Sequence, residues 1–323
     1  MTSQLMGSLP TVRTTPAKPF TNTGNDYAGP LLIKHKARSP GEKCYVALFI
    51  CFTVKAIHLE LVSSASTEAF LAALRRFMAR RGKPRNMFSD NGSNFLGAQK
   101  ELKRLLKSKD HNARVANSLS SDNIEWHFSP AGAPHFGGLW EAGVKSVKQH
   151  LKRTIGGMSL TFEELNTVLV QIEACLNSRP LCPLSTDPSD FQALTPGHFL
   201  VGTELNALPE IDLTDVKVNR LNRWQHVQSL YQLFWKRWSL EYIARLQNRP
   251  KWTKVQRNLE IDDLVIIRED NLPPLKWLMA RVVELHPGED GLVRVATLKM
   301  VNGVVKRPIR KLAMLLSSQA DTC

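Results

Sequence analysis

The sequence predicts an α/β protein followed by a small β-rich domain, and three observations support this fold class. Two apolar runs, CYVALFICFT and AIHLELV, lie close together and have the composition of neighbouring buried strands. Apolar side chains then recur at helical spacing from Thr67 to Arg81. From Leu259 onward, short strand-like segments alternate with Pro-Pro, Pro-Gly and Asn-Gly turns, which is the pattern of a small barrel.

The composition is that of a globular protein whose partner is a polyanion. Of its 323 residues, 43% are hydrophobic, which is ample for at least one core. Lysine and arginine total 43 against 29 acidic residues, so the net charge is +14 and nucleic acid is the leading candidate partner. Five scattered cysteines favour a reducing, intracellular location, nuclear or cytoplasmic. No apolar run approaches the ~20 residues of a membrane helix, so we expect no membrane partner.

The core is expected to begin with an antiparallel meander and one helix. A short strand-like segment passes through Asp26 to a turn at Gly29-Pro30, and the two apolar runs follow it. Ser66 or Thr67 is a suitable N-cap for the helix, and Gly82 is a suitable stop. Three strands therefore precede one amphipathic helix.

The next segments alternate between strands, loops and helices. A short strand ends at Asp90, where Asn91-Gly92 turns the chain. Residues 99–122 begin as a helix and then become polar, which predicts an inserted helix and surface loop. Ile124 to Phe128 alternates like a strand, and the Gly/Pro-rich segment SPAGAPHFGG leads to a helix from about Leu139 to Ile155.

The remaining elements complete the core and lead to the β domain. Thr161-Phe-Glu-Glu164 is a capping-box pattern that opens a helix, and residues 178–215 are Pro-rich and irregular. Arg220 to Gln247 predicts one long helix. The predicted domains are an N-terminal arm (1–19), a core (20–205), a linker with its helix (206–258) and the small barrel (259–316).

Three acidic residues, Asp26, Asp90 and Glu141, are the candidates for catalysis. Each lies at a strand end or a helix start beside Gly-containing backbone, where a substrate can approach closely. Phosphodiester transfer uses two divalent ions about 4 Å apart, and two or three carboxylates from different elements are enough to hold Mg²⁺. A single Asp before a turn is more often a turn residue, so the combination carries the prediction. Asp122 and Glu125 are alternative third acids that lack the loop-to-helix setting.

The motifs DYAGP, FSDNGSNF and SPAGAPHFGGLWEAGVKSVK, in this order, resemble the catalytic cores of integrases of the BEL/Pao class of LTR retrotransposons. LNSRPL and LTPGHFLVG also look like that class, and the resemblance covers roughly residues 5–315. It implies a ribonuclease H-like core, which is a mixed five-stranded sheet with flanking helices. It further implies a linking helix and a small SH3-like β-barrel for DNA or chromatin contact.

The resemblance also implies an activity and its site. Asp26, Asp90 and Glu141 would be both the catalytic residues and the ligands of two Mg²⁺ or Mn²⁺ ions. The family trims the ends of the element's DNA and then uses the new 3′-hydroxyl to attack a target strand. The implied partners are element and target DNA, further copies of the chain in a homo-oligomer, and chromatin.

The predicted helix after residue 139 also carries a basic stripe. Glu141, Lys145, Lys148 and Lys152 fall at steps of 4, 3 and 4 residues, so they share one helical face. The opposite face is apolar and consists of Val144, Val147, Leu151 and Ile155. In integrases, lysines one and two turns beyond the catalytic Glu contact DNA, and Lys145 and Lys148 resemble them. The alternative is a solvated Glu/Lys face stabilised by pairs on successive turns.

Three departures from the family pattern limit the resemblance. Asn25 stands where an apolar residue usually precedes the first Asp, and fifty residues separate Asp90 from Glu141, which indicates a surface insertion. Paired His and Cys ligands of an N-terminal zinc module are absent before Asp26. The chain therefore looks like a fragment or a domesticated copy.

These departures keep other functions open. A catalytically inactive, integrase-derived DNA-binding protein is the main alternative to a retrotransposon integrase. A nuclease of the same fold would share the metal chemistry, and a basic scaffold protein would have three coincidental acids. His135 and Phe136, in the loop before the basic helix, could position DNA, whereas His58 alternates within a strand and is interpreted as structural.

Overall fold

The computed structural model describes residues 11–34, 40–107, 124–128, 148–155, 160–247 and 259–315. The chain divides into two compact units, residues 1–173 and 174–323, and each is described by itself. Residues 174–205, which the sequence analysis assigns to the core, thus group with the C-terminal unit. The boundaries of the four domains that the sequence predicts stay a prediction.

The first unit is built on one sheet with the strand order β3-β2-β1-β4-β5. β2 pairs antiparallel with both β1 and β3, whereas β4 is parallel to β1 and β5 is parallel to β4. The strands are β1 (Asn22–Ile33), β2 (Glu42–Cys51), β3 (Ile57–Val62), β4 (Asn86–Ser89) and β5 (Glu125–Phe128). The predicted mixed five-stranded sheet is confirmed.

The first strand is longer than the sequence predicted. The turn expected at Gly29-Pro30 is a bulge inside β1, because the pairing with β2 shifts register between Ala28 and Leu31. Gly29 has φ +135° there, and a Cβ on it would lie 3.0 Å from the Tyr45 ring. Glycine therefore allows the bend and the close approach, and β1 continues beyond it.

Helix α2 (Thr67–Arg81) matches its prediction closely. Ser66 is the N-cap and its Oγ accepts a hydrogen bond from the Ala69 backbone N–H at 3.2 Å. Gly82 ends the helix with φ 87°. The buried face of α2 meets the apolar strands, and the rings of Phe77 and Phe49 stack with centroids 4.3 Å apart.

Helix α3 (Ser93–Lys107) begins six residues earlier than residue 99, where the sequence analysis started it. Its first turn contains Phe95, and Ala98 follows one turn later; both are buried. Asn-Gly is typical of a turn, and here the helix starts directly after the turn at Asn91-Gly92. The sequence pattern therefore did not indicate the start of the helix. The tertiary contacts of Phe95 supply the stabilisation that the polar sequence does not indicate.

Two helices complete the described part of the first unit. Residues 148–155 form helix α4, in which Leu151 and Ile155 are buried as predicted, while residues 139–147 lie outside the described residues. Helix α5 (Phe162–Asn177) opens with the predicted capping box. Thr161 Oγ1 accepts from the Glu164 N–H at 3.2 Å, and the Glu164 carboxylate accepts from the Thr161 N–H at 2.8 Å.

The second unit contains the predicted long helix and a small β domain. Helix α7 (Arg223–Leu246) is capped by Asn222, and a 3₁₀ turn at Val218–Arg220 precedes it. The smaller elements of the second unit are helix α6 (Pro196–Val201) and the strand pair β6 (Cys182–Pro183) and β7 (Ala193–Leu194). In the first unit, the N-terminal arm contains the short helix α1 (Thr11–Thr14). No helix among the described residues is long and apolar enough to cross a membrane.

The C-terminal sheet has five antiparallel strands in the order β11-β10-β9-β8-β12. Its strands are β8 (Leu264–Ile267), β9 (Met279–Pro287), β10 (Val293–Met300), β11 (Gly303–Pro308) and β12 (Leu312–Met314). A 3₁₀ turn, Ile309–Lys311, joins the last two strands, which are the opposite edges of the sheet order. Alternate side chains such as Val265 and Ile267 fill its interior. This arrangement agrees with the predicted SH3-like domain.

Candidate active site

Asp26 lies in the middle of the first unit's sheet and meets one of the predicted DNA-binding lysines. Its Oδ2 accepts a hydrogen bond from Lys148 Nζ at 2.7 Å, and the two side chains are 23% and 37% exposed. The next residue, Tyr27, packs on the opposite face against Phe70 of α2 and Phe95 of α3. Asp26 therefore points away from α2 and α3, toward Lys148 of α4.

Asp90 directly follows β4, which pairs in parallel with β1, the strand that contains Asp26. These parallel strands pair Asn22 with Asn86 and Gly24 with Phe88, and the same register continued by two residues carries Asp26 to Asp90. Adjacent strands lie about 4.8 Å apart, and residues two apart point to the same face. The first two predicted acids thus both follow the paired segment of these neighbouring strands by two residues, Asp26 within β1 and Asp90 just after β4.

The end of β4 is held by contacts that the sequence analysis did not find. Ser89 is fully buried, its Oγ donates to the Asp90 carbonyl at 2.9 Å, and it accepts from Trp126 Nε1 at 2.9 Å. Asp90 itself is exposed, and its Oδ1 accepts from the Gly92 N–H at 3.0 Å. A Cβ on Gly92 would lie 3.0 Å from that same oxygen, so a larger residue there would require the Asp90 carboxylate to shift. Only the strand pairing of β4 with β5 brings Trp126 to this position.

The other predicted site residues divide into those the structure describes and those it does not. Lys152 lies on α4 one turn beyond Lys148 and is exposed. Glu125 starts β5 opposite Asn86, at the other end of the strand from Asp90, which disfavours it as the third acid. The remaining candidates, Glu141, Lys145, Asp122, His135 and Phe136, lie outside the described residues.

The donor set fits a hard divalent cation. Among the described ranges, no group of three or more His, Cys, Asp or Glu side chains could hold a metal ion. Mg²⁺ needs no such group, because it keeps several waters and binds through one or two carboxylates. Asp26 and Asp90 carry carboxylate oxygens of this kind, and both side chains are at least partly exposed. Their chemistry thus fits magnesium or manganese, and a metal site that they share stays a prediction.

Asn25, the residue before Asp26, is a buried polar side chain without a hydrogen-bond partner among the described residues. It is 2% exposed, and neither its amide nitrogen nor its amide oxygen has a hydrogen-bond partner among the described residues. Burying an unpaired amide costs free energy of folding. The departure from the family pattern noted in the sequence is thus a locally unfavourable residue next to the first acid.

His58 belongs to a buried cluster of charged side chains that does not include Asp26 or Asp90. It is 1% exposed and contacts Glu60 at 2.9 Å and Glu173 at 3.2 Å. Glu173 accepts from the Leu59 N–H at 2.7 Å and from Arg81 at 2.6 Å. Burial alone raises the pKa of Glu173, but the His58 and Leu59 hydrogen bonds and the charge of Arg81 together hold it below its usual value. These contacts support the structural interpretation of His58.

Comparisons with known proteins give limited matches. Residues 222–315 match a family of unknown function, DUF5641, and this segment covers α7 and the C-terminal sheet. No curated protein matches the chain. Among solved structures, the chain is similar to the cryo-EM structure of a simian T-cell lymphotropic virus intasome in complex with PP2A regulatory subunit B56 gamma. The identity is 10%, the TM-score is 0.37, and the alignment covers 94% of this chain and 81% of that chain.

Proposed function

We propose that this chain is a retrotransposon integrase of the BEL/Pao type, a polynucleotidyl transferase that inserts element DNA into target DNA. The observation that supports the proposal is the parallel pairing of β1 with β4, whose last pair, Gly24 with Phe88, lies two residues before both Asp26 and Asp90. Glu141 is proposed as the third acid. The net charge of +14 favours a nucleic-acid substrate.

The chemistry follows from the carboxylates and the lysines. Two Mg²⁺ or Mn²⁺ ions, when bound, would activate the attacking oxygen and neutralise the leaving oxygen. Asp26 and Asp90 would hold these ions through their carboxylate oxygens. Lys148 would leave Asp26 and bind a DNA phosphate next to the scissile bond, while Lys152, and Lys145 by proposal, would extend the phosphate contacts along the helix.

The partners proposed with this activity are the ends of the element's DNA and the target DNA, with a homo-oligomer as the working form. The C-terminal SH3-like unit would contact DNA or chromatin. Basic residues cluster toward its end, among them Lys306, Arg307, Arg310 and Lys311.

A second candidate is an integrase-derived DNA-binding protein without catalysis. The ion pair of Lys148 with Asp26 favours it, because a lysine that neutralises the first acid competes with a metal ion for the same oxygens. The buried, unpaired Asn25 beside that acid favours it as well. The two candidates differ only in what happens after DNA is bound.

Strand transfer of a short duplex that carries the element's terminal repeat tests the proposal, with Mg²⁺ or Mn²⁺ present. The parent chain should join the duplex to a target strand, and Asp90→Asn should abolish joining without unfolding, because it removes a charge with little change of shape. Asp215→Asn, at a side chain 91% exposed in the other unit, is the matched control and should keep full activity.

The outcomes separate the candidates. Joining by the parent and the control alone supports the integrase. Cleavage without joining identifies a nuclease, and silence in all three proteins with retained DNA binding identifies the non-catalytic binder. Equal joining by Asp90→Asn would refute the site.

A further inference from the structure

A second candidate binding site lies within the unit of residues 174–323. A cavity of about 250 Å³ is lined by one face of α7 and by the loop after β8, residues 269–277. The lining includes Trp235 and Ile243 from the helix and Trp277 from the end of the loop. Pockets for whole small-molecule ligands measure about 300–1,000 Å³, so this smaller cavity is suited to one or two side chains of a peptide.

The aromatic part of this cavity is held in place by hydrogen bonds. Trp235 Nε1 donates to the Leu272 carbonyl at 2.9 Å, and Trp277 Nε1 donates to Ser178 Oγ at 3.2 Å. The two indole rings contact each other edge to face, with centroids 4.9 Å apart. Trp235 is 3% exposed and forms the floor of the cavity, whereas Trp277 is partly exposed. Because the Trp277 N–H group is used, this indole offers a ligand its ring surface, and a tryptophan ring attracts cations.

The charge of the lining has the sign opposite to that of the chain. Its ionisable residues are Glu210, Asp212, Glu269, Asp270, Lys236 and Lys276, a net charge of −2 in a protein of net charge +14. Two further charges lie close and cancel each other, since Arg307 is 3.9 Å from Glu269 and Asp215 is 4.0 Å from Lys236. The cavity is therefore an acidic and aromatic site on a basic protein, and it disfavours DNA.

The ionisation state of Asp212 supports the description of the cavity as acidic. The backbone N–H of Thr214 donates to the Asp212 carboxylate at 2.9 Å and is the main cause of the lowered pKa of Asp212. Asp212 thus stays ionised at neutral pH. It is exposed, as are Glu269 and Asp270, so a cation reaches these carboxylates from solvent.

We propose that this cavity binds a lysine side chain of a basic peptide segment presented by a partner protein. The alkyl stem of the lysine would pack on the partly exposed Trp277 ring, and its ammonium group would reach the carboxylates at the mouth. The argument is charge complementarity combined with an aromatic lining, and it does not depend on the catalytic proposal.

Fluorescence anisotropy with the full chain tests the proposal. The probe is a short fluorescein-labelled peptide of alternating lysine and glycine, and its matched control replaces each lysine by norleucine. The double variant Glu269→Gln with Asp270→Asn should weaken binding of the lysine peptide about tenfold, as expected for two lost ion pairs. Glu204→Gln with Glu289→Gln removes the same charge from exposed positions outside the cavity and should leave the affinity unchanged.

The results either support or overturn the proposal. Three results together support the proposal: the chain binds the lysine peptide and not the norleucine peptide, Glu269→Gln with Asp270→Asn loses affinity for the lysine peptide, and Glu204→Gln with Glu289→Gln keeps it. Equal binding of the norleucine peptide would indicate an apolar groove, and equal weakening in both variants would indicate general charge attraction; each overturns the proposal. No binding of the peptide, with a sedimentation shift on dilution that the cavity variant abolishes, would assign the cavity to a second copy of the chain.

Discussion

Lys148 Nζ lies 2.7 Å from Asp26 Oδ2, and this contact joins two residues that the sequence analysis placed in different roles. Asp26 was predicted to hold metal, and Lys148 to hold phosphate. Both are partly exposed, so the ion pair is weak enough to exchange. We therefore propose that the lysine neutralises the acid in the absence of metal and would contact DNA when metal binds.

Lys148→Met is expected to change DNA binding and metal binding in opposite directions. Loss of a phosphate contact should weaken DNA binding and reduce the salt slope by about 1. Loss of the competing cation should tighten Mn²⁺ binding up to about fivefold, the equivalent of about 1 kcal/mol. DNA titrations at several salt concentrations and Mn²⁺ titrations followed by electron paramagnetic resonance measure the two effects.

Lys152→Met is the control for that experiment. It removes an exposed lysine that lies on the same helix, one turn beyond Lys148. It should weaken DNA binding without tightening Mn²⁺ binding. An unchanged Mn²⁺ affinity in Lys148→Met would contradict the exchange.

Asn25→Val should stabilise the protein. The substitution removes a buried amide that has no partner among the described residues and places a β-branched side chain in a central strand. The gain should be about 1–2 kcal/mol, the cost of leaving a polar group unpaired. Urea unfolding followed by circular dichroism measures it.

Asn22→Val tests the same replacement at a satisfied position of the same strand. The amide nitrogen of Asn22 donates to the Val12 carbonyl at 3.1 Å, and its oxygen accepts from Asn86 at 2.7 Å. Here the substitution should destabilise by about 1–3 kcal/mol. Destabilisation of similar size in both variants would mean that Asn25 has a partner after all.

Glu173→Gln should destabilise the protein by about 3 kcal/mol at pH 7, because it leaves buried ionic partners without their countercharge. The pKa of Glu173 is lowered in the folded state, so its contribution is present above the unfolded pKa and is lost as the pH falls through the folded pKa. The difference between parent and variant should therefore shrink on acidification below about pH 4.5, the model-peptide range.

Thermal unfolding at a series of pH values measures this effect. Glu163→Gln, at an exposed position in the first turn of the same helix, should run parallel to the parent over the whole range. A difference for Glu173→Gln that does not depend on pH would sink the electrostatic explanation.

Arg281→Met should loosen the Pro-rich segment of the second unit. Arg281 is 4% exposed, and its guanidinium donates to the carbonyls of Ser185, Asp187, Asp190 and Asp262 at 2.8–3.0 Å. Methionine retains the apolar stem but leaves these acceptors without a donor, at a cost of about 3–5 kcal/mol.

Hydrogen exchange should show the loss as faster exchange around residues 185–190. Arg294→Met removes an exposed arginine whose partner is Asp290, and it should leave exchange in that segment unchanged. Equal protection in parent and Arg281→Met would show that other contacts hold the segment.

The sequence by itself determined the elements whose signals are local. The apolar runs of β2 and β3, the helical spacing of α2 with its Ser66 cap, and the capping box at Thr161 all appear where they were predicted. The turn-rich tail forms the predicted antiparallel sheet. These features depend on propensity, burial period and caps, which a few consecutive residues specify.

Only the tertiary structure decided how those elements form a site. β4 lies beside β1, so the strands that precede or contain Asp90 and Asp26 are neighbours. Trp126 holds the end of β4, and Lys148 contacts Asp26 across 122 positions of sequence. The same is true of the bulge at Gly29, which a local pattern presents as a turn. A local pattern specifies which face of an element is buried, but the choice of neighbour depends on packing among residues far apart in the chain.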